Sequence, residues 1–159
     1  MINLRPVTDE NFDKVVRLSD TLTDYQKKCV APNIASLAHA YVNGERAWPR
    51  AIYLDDEVIG FIMVALWDDD IPKKDWPAYY LWRFMMAKEH QQKGYGKQVL
   101  DLLIEKCKQD NIKTLYTSCG MDGDQPYQFY TKYGFVDTGI NDGEQILRME
   151  LKSYNGDRK

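Results

Sequence analysis

Gln91-Gln92-Lys93-Gly94-Tyr95-Gly96-Lys97 stands between a nearly continuous apolar run, Ala78 to Met86, and a segment in which Val99, Leu100, Leu103 and Cys107 recur on one helical face. The apolar run reads as a strand buried on both faces. The periodic segment reads as a long helix from Gly96 to about Gln109. The loop between them carries two glycines, which allow close backbone approach and conformations that other residues avoid. A helix start adds free N–H groups and the positive end of a dipole. Together these suit a pyrophosphate, although a plain strand-to-helix turn would read the same way from the loop alone. Two nucleotide motifs fail: Val99 stands where GxGxxG needs its third glycine, and Gly96-Lys97 is followed by Gln98 with no glycine five positions before Gly96.

On either side the chain alternates strand and helix signals. Ile2 to Val7 alternates as a strand, and Thr8 is the expected N-cap of a helix carrying Phe12, Val15 and Val16. Residues 20 to 32 read as polar and irregular. Asn33 is the expected cap of a second helix whose apolar face is Ile34, Leu37, Ala38 and Tyr41, closed by Asn43-Gly44. Ala51 to Leu54 and Val58 to Leu66 form a hairpin pattern, and Asp68 to Pro72 is a break. Beyond the long helix come a strand from Ile112 to Cys119, a short helix from Gln125 to Tyr133, and two strands joined at Asn141-Asp142-Gly143. The resulting order is β-α-α-β-β-β-α-β-α-β-β, expected as one mixed α/β domain over 1–152 with a polar tail at 153–159.

Composition narrows the classes. A net charge of −3 argues against a nucleic-acid protein, which needs a basic face. No signal-peptide pattern opens the chain and no apolar run approaches the roughly 20 residues that span a bilayer. The three cysteines, Cys29, Cys107 and Cys119, form no CxxC or Cys/His cluster, so neither a metal nor a disulfide framework is expected. The expected setting is cytoplasmic, with no membrane and no nucleic acid as partner.

A second segment, Phe129-Tyr130-Thr131-Lys132-Tyr133-Gly134-Phe135, follows the loop after one further strand. The loop resembles the Q/R-x-x-G-x-G/A signature of the GNAT acetyltransferases through Gln91, Gly94 and Gly96, and the second segment resembles their FYxxxGF element. The paired motifs, in order and spacing, make the resemblance cover essentially the whole chain. It implies the GNAT fold: a central twisted mixed sheet of about seven strands flanked by about four helices, with splayed central strands. It implies acetyl-CoA as co-substrate and a homodimer. Carried over, Phe84, Met85 and Met86 would offer backbone groups to the pantetheine arm and the thioester. Gln91, Gln92, Lys93, Gly94, Tyr95, Gly96 and Lys97 would wrap the pyrophosphate. Tyr130 would bind the CoA sulfur and, in this motif, is read as the general acid for the leaving thiolate rather than as a core aromatic. A backbone N–H would stabilise the oxyanion, a contribution of roughly 3–4 kcal/mol. The family often carries an asparagine seven positions before the tyrosine; here that position is Gly123, so the contact is lost or made by backbone or Asp124.

The acceptor is less legible. Asn11 through Gln26, Val30 to Asn33, Gly60 to Met63 and Tyr80 to Met85 look similar to bacterial spermine/spermidine acetyltransferases, implying a polyamine. Asp20, Asp24, Asp68, Asp69, Asp70 and Asp75 are the candidate carboxylates, with Trp67, Trp76, Tyr79, Tyr80 and Trp82 as aromatic faces; Asp68 to Asp70 reads first as a solvated turn. Arg83 either pairs with a carboxylate or meets an anionic group of the acceptor, which would favour an amino acid or peptide over a polyamine. Cys107 is expected in the core, Cys119 near the thioester, and His39 and His90 carry no assigned role.

Overall fold

The structure is a computed structural model that describes residues 1–120 and 125–151. Gly123 and Asp124, and the tail at 153–159, lie outside the described residues. The strands are β1 (Ile2–Pro6), β2 (Ala47–Leu54), β3 (Glu57–Ala65), β4 (Ala78–Met86), β5 (Thr114–Cys119), β6 (Val136–Asn141) and β7 (Glu144–Glu150). The α-helices are α1 (Phe12–Arg17), α2 (Asp24–Cys29), α3 (Asn33–Asn43), α4 (Tyr95–Gln109) and α5 (Gln125–Tyr133). All seven strands form one sheet in the order β1-β2-β3-β4-β5-β7-β6. Only β4 and β5 pair parallel; every other neighbour is antiparallel. The sheet and its flanking helices match the expected architecture. Among the described residues no helix is long and apolar enough to cross a membrane.

Strand alternation sorts the core into two layers. Ile62 and Val64 of β3 face one way and pack with Val99, Leu100, Leu103 and Cys107 of α4 and Tyr130 of α5. Phe61 and Met63 face the other way and pack with Val15, Leu18 and Ala40 from the N-terminal helices. Burial on both sides explains why β3 carries an unbroken apolar run. Burial pushes the Cys107 thiol up to about 12, which leaves it a protonated core residue. Gly60 is required where β3 meets β4, because a Cβ there would lie 2.6 Å from the Met85 carbonyl oxygen.

The N-terminal region departs from the expectation in three places. Residues 20–32 are not irregular throughout: α2 forms behind a capping box in which the Thr23 hydroxyl accepts from Gln26 N–H and the Gln26 side chain accepts from Thr23 N–H. Thr8 does not cap α1 with its hydroxyl. Instead the Asn11 side chain accepts from Thr8 N–H and donates to Pro6 O and Tyr53 Oη, pinning the turn to the sheet. Asn33 is the first residue of α3 rather than its cap, and its buried amide donates to Val15 O at 2.8 Å. That bond turns the helix by about one position, 100°. Asn33, Ser36 and Ala40 therefore face the core, while Ile34 and Tyr41 stand 54% and 89% exposed. Small side chains at 36 and 40 let the helix sit close to the sheet, and this outweighs apolar periodicity.

A buried ionic knot joins the loop before β4 to the far side of the sheet. Asp75 is 4% exposed and accepts from the Tyr116 hydroxyl and from Arg148 Nη2 at 2.9 Å. Burial alone would raise the Asp75 carboxyl, but the Tyr116 hydrogen bond and the charges of Arg148 and Lys74 outweigh it and hold it below the ordinary carboxylate range. A depressed folded value means stability that is present above about pH 4, where an unfolded aspartate ionises, and lost as pH falls through the folded value. Acid titration of the thermal midpoint should show this component in the parent chain and lack it in Asp75→Asn. Asp75→Ala should cost about 2 kcal/mol at neutral pH in denaturant unfolding, because it takes the partner from the partly buried Arg148 and from the Tyr116 hydroxyl; a loss under about 1 kcal/mol would mean the knot carries little.

Candidate active site between the splayed strands

β4 and β5 pair at only four positions: Ala78↔Thr114, Tyr79↔Leu115, Tyr80↔Tyr116 and Leu81↔Thr117. Past Leu81 the two strands part, while β4 stays bonded to β3 as far as Met86↔Gly60. At the point of parting β4 has a bulge, because Met63 pairs with Arg83 and Val64 with Leu81, leaving Trp82 unopposed. The bulge shifts the phase of the side chains. Tyr79 and Leu81 belong to the α4 layer, and after the extra residue Phe84 and Met86 return to that layer, whereas Trp82 and Met85 pack in the other. The outcome is a length of β4 edge facing an open gap.

Tyr130, from α5, sits beside this gap. It is 7% exposed, with its ring against Phe129 and Phe135 at centroid distances of 5.5 and 5.4 Å. Thr117 lines the same opening, and its Oγ1 donates to Leu81 O at 3.1 Å. Burial pushes the phenol well above its ordinary value. The group is therefore neutral and proton-bearing throughout the physiological range. Thr117 was not visible as a site residue in the sequence, where it is one threonine in an alternating strand.

The loop after β4 is held by its first residue. Gln91 Nε2 donates to Met86 O at 3.0 Å, and Gln91 Oε1 accepts from Gln26 Nε2 at 2.9 Å, so α2 braces the loop. Gln92 and Gly94 adopt left-handed backbone, φ +60 and +82, and the first turn of α4 has no side-chain cap and no acidic residue. Its N–H groups and the exposed Lys93 and Lys97 leave a cationic helix end. Gly96 has a different reason to be glycine from the one its motif suggests. A Cβ there would meet the Phe129 ring at 3.1 Å, so it seats α4 against α5.

A cleft of about 1300 Å³ opens from Tyr130 and Thr117 along Tyr80, Trp82, Arg83 and Phe84. Of the expected substrate residues, Tyr80, Trp82 and Arg83 line it and Asp24 does not; Asp24 opens α2. Asp68, Asp69 and Asp70 reach its rim. Asp69 is occupied by Trp67 Nε1 at 2.8 Å and Arg46 at 3.6 Å, and Asp68 accepts from Asp70 N–H. Asp75 is consumed by its knot. Glu144, at the start of β7, was overlooked in the sequence; it lines the cleft and its charge bears on Tyr80 and Arg83. Tyr80 and Tyr116 stack nearly parallel at 6.3 Å.

Arg83 is not in an ion pair among the described residues. Its Nη1 donates to Trp82 O at 3.0 Å, and its buried Nε has no partner there. Desolvation lowers its pKa, with Glu144 and Tyr80 acting against that, though an arginine stays charged. The expected structural pairing is thus missing among the described residues. Cys119 lines the cleft and is buried at the end of β5. His39 lies 5.7 Å from the Trp82 ring, and His90 stands 3.6 Å from both Glu57 and Glu89.

The model of the acetyltransferase (GNAT) family matches residues 15–135. A spermine/spermidine N(1)-acetyltransferase of Bacillus subtilis strain 168 is 27% identical over 156 residues, covering 94% of this chain and 99% of its own. PaiA N-acetyltransferase from Thermoplasma acidophilum, solved in complex with coenzyme A, superposes with a TM-score of 0.67 at 17% identity over 94% of this chain and 99% of its own. An aminoglycoside acetyltransferase AAC(6')-Ib, solved with coenzyme A and kanamycin, gives 0.77 at 17% identity over all of both chains. Strands that part beside a buried tyrosine, a glycine loop opening a long helix, and a family match spanning both together place this chain in the GNAT family, as an acetyl-CoA-dependent N-acetyltransferase.

Proposed function

We propose that the acceptor is a primary amine of a polyamine, spermidine or spermine, and that transfer from acetyl-CoA is direct. The observation that carries this reading is the course of the cleft, from the Tyr130 phenol past stacked aromatic faces to a rim bearing Asp68, Asp70 and Glu144. Carboxylates and aromatic rings are what a chain of ammonium groups needs. The name of the B. subtilis relative points the same way.

Acetyl-CoA supplies an activated acetyl thioester. The uncapped start of α4, with Gly94 in a left-handed conformation and Lys93 and Lys97 alongside, suits its pyrophosphate. The free β4 edge at Phe84, Met85 and Met86 suits the pantetheine amides. Within this frame Tyr130 holds a proton in a dry setting and gives it up to the departing sulfur. The side chain of Met85 stays in the opposite core layer, so only its backbone takes part.

Arg83 supports a second reading. A guanidinium on the cleft wall that is in no ion pair among the described residues repels a polyamine locally and would suit an amine that also carries a carboxylate, such as an amino acid or peptide.

Release of CoA thiol, screened with spermidine, spermine, diamines, amino acids, an aminoglycoside and a lysine peptide, separates these readings. Under the polyamine reading, Glu144→Gln raises KM for spermidine several-fold and Arg83→Gln leaves it equal or lower. Under the second reading Arg83→Gln raises KM about tenfold or more, the loss of a charge-assisted bond. Acetyl-CoA binding without turnover on any acceptor would point instead to a sensor. Tyr130→Phe should lower kcat about 100-fold or more with acetyl-CoA affinity nearly kept; an unchanged kcat removes the phenol from the reaction. Gly96→Leu should weaken acetyl-CoA binding through displaced Phe129, and normal affinity would detach that packing from the loop.

A further inference from the structure

We propose that Gln26 is a positioning residue for acetyl-CoA: its amide, fixed by the capping box of α2, sets the orientation of the Gln91 amide and so anchors the loop after β4 to the end of the free β4 edge. The proposal rests on the reading of that loop as the pyrophosphate site.

Four residues stand in a line of hydrogen bonds with a single polarity. Thr23 N–H donates to Gln26 Oε1 at 3.1 Å, Gln26 Nε2 donates to Gln91 Oε1 at 2.9 Å, and Gln91 Nε2 donates to Met86 O at 3.0 Å. Both ends of the line are backbone groups, a donor at Thr23 and an acceptor at Met86, so neither end can reverse. A glutamine amide carries its acceptor and its donors on separate arms. Turning over either glutamine would set donor against donor at one contact and acceptor against acceptor at the next. The cap of a short helix thus dictates which arm of Gln91 meets the strand.

Met86 O belongs to the free edge. The C=O and N–H of one trans peptide point in opposite directions. Ala87 N–H is spent on Ile59 O, beside β3, at 2.8 Å, so Met86 O points away from β3, to the side on which β4 has lost β5. Gln91 therefore closes the edge where the chain leaves the strand for the loop. α2 buries no residue of its own, and Gln26 is its one residue that is not exposed. Thr21 Oγ1 adds a second tie to the loop, accepting from Lys88 N–H at 3.2 Å.

Gln26→Glu separates this role from helix capping. A glutamate serves a capping box as a glutamine does, so Thr23 N–H keeps its acceptor, while the arm facing Gln91 changes from donor to acceptor. Gln91 then turns its own donor to the carboxylate and gives up Met86 O. The expected result is a Kd and KM for acetyl-CoA raised about five- to tenfold, the span of one neutral hydrogen bond, with kcat at saturation within about twofold. The thermal midpoint should stay within about 2 °C, whereas Gln26→Leu, which loses the box as well, should lower it further. The added charge also repels an anionic cofactor, and that part does not need Gln91. On a Gln91→Ala background, Gln26→Glu should therefore change Kd less than about twofold. The same factor on both backgrounds, an unchanged Kd, a loss in kcat rather than KM, or a Gln26→Glu midpoint as low as that of Gln26→Leu each overturns the proposal. Normal acetyl-CoA affinity in Gln91→Ala overturns the reading of the loop itself, and is seen separately.

Discussion

The short parallel pairing between β4 and β5 is the constraint on which the rest depends. Four residue pairs hold the strands together and then the ladder stops. A parallel pair left in register would present no edge, and the buried amides of β4 would be spent on β5. Two local features end the pairing. The bulge at Trp82 adds a residue on β4, and the Thr117 hydroxyl donates to the Leu81 carbonyl at the last pair. From there β4 continues with one edge bonded to β3 and the other free. α5 then delivers Tyr130 to the same place, packed through Phe129 against Gly96 at the start of α4. One break in a ladder thus brings a strand edge, a helix end and a phenol around one opening.

Charge along the cleft divides into what the fold uses and what it leaves. Asp75 and Arg148 serve each other and Tyr116, and Asp69 serves Trp67 and Arg46. Glu144 at the rim and Arg83 on the wall are not in ion pairs among the described residues. Composition counts these groups alike. Only their partners separate a carboxylate that holds the sheet together from one that can meet a ligand, since a buried carboxylate already holding two donors has little left to offer a third charge.

Local patterns were readable. The glycine loop, the apolar stripe of α4 and the FY segment depend on residues close in the chain, and each falls within a residue or so of its expected place. The N-terminal helices were read less well. The capping box of Thr23 and Gln26 was present in a segment taken as irregular, and the face of α3 followed Asn33 and small residues rather than Ile34 and Tyr41. Helix rotation answers to what the opposing sheet accepts, and a buried side-chain bond to Val15 O has no signature in apolar spacing.

By itself, then, the sequence determined the order of elements apart from α2, the family resemblance, the glycine loop and the candidacy of Tyr130, because each is written in neighbouring residues and their periodicity. The tertiary structure alone decided that Trp82 is bulged, that the Thr117 hydroxyl bonds Leu81 O, that Asp75 is taken and that Arg83 is not in an ion pair among the described residues. Those facts concern residues 36 to 73 positions apart or the register between two strands. Hydrogen bonds and desolvation act over a few ångströms of space, whatever the distance along the chain.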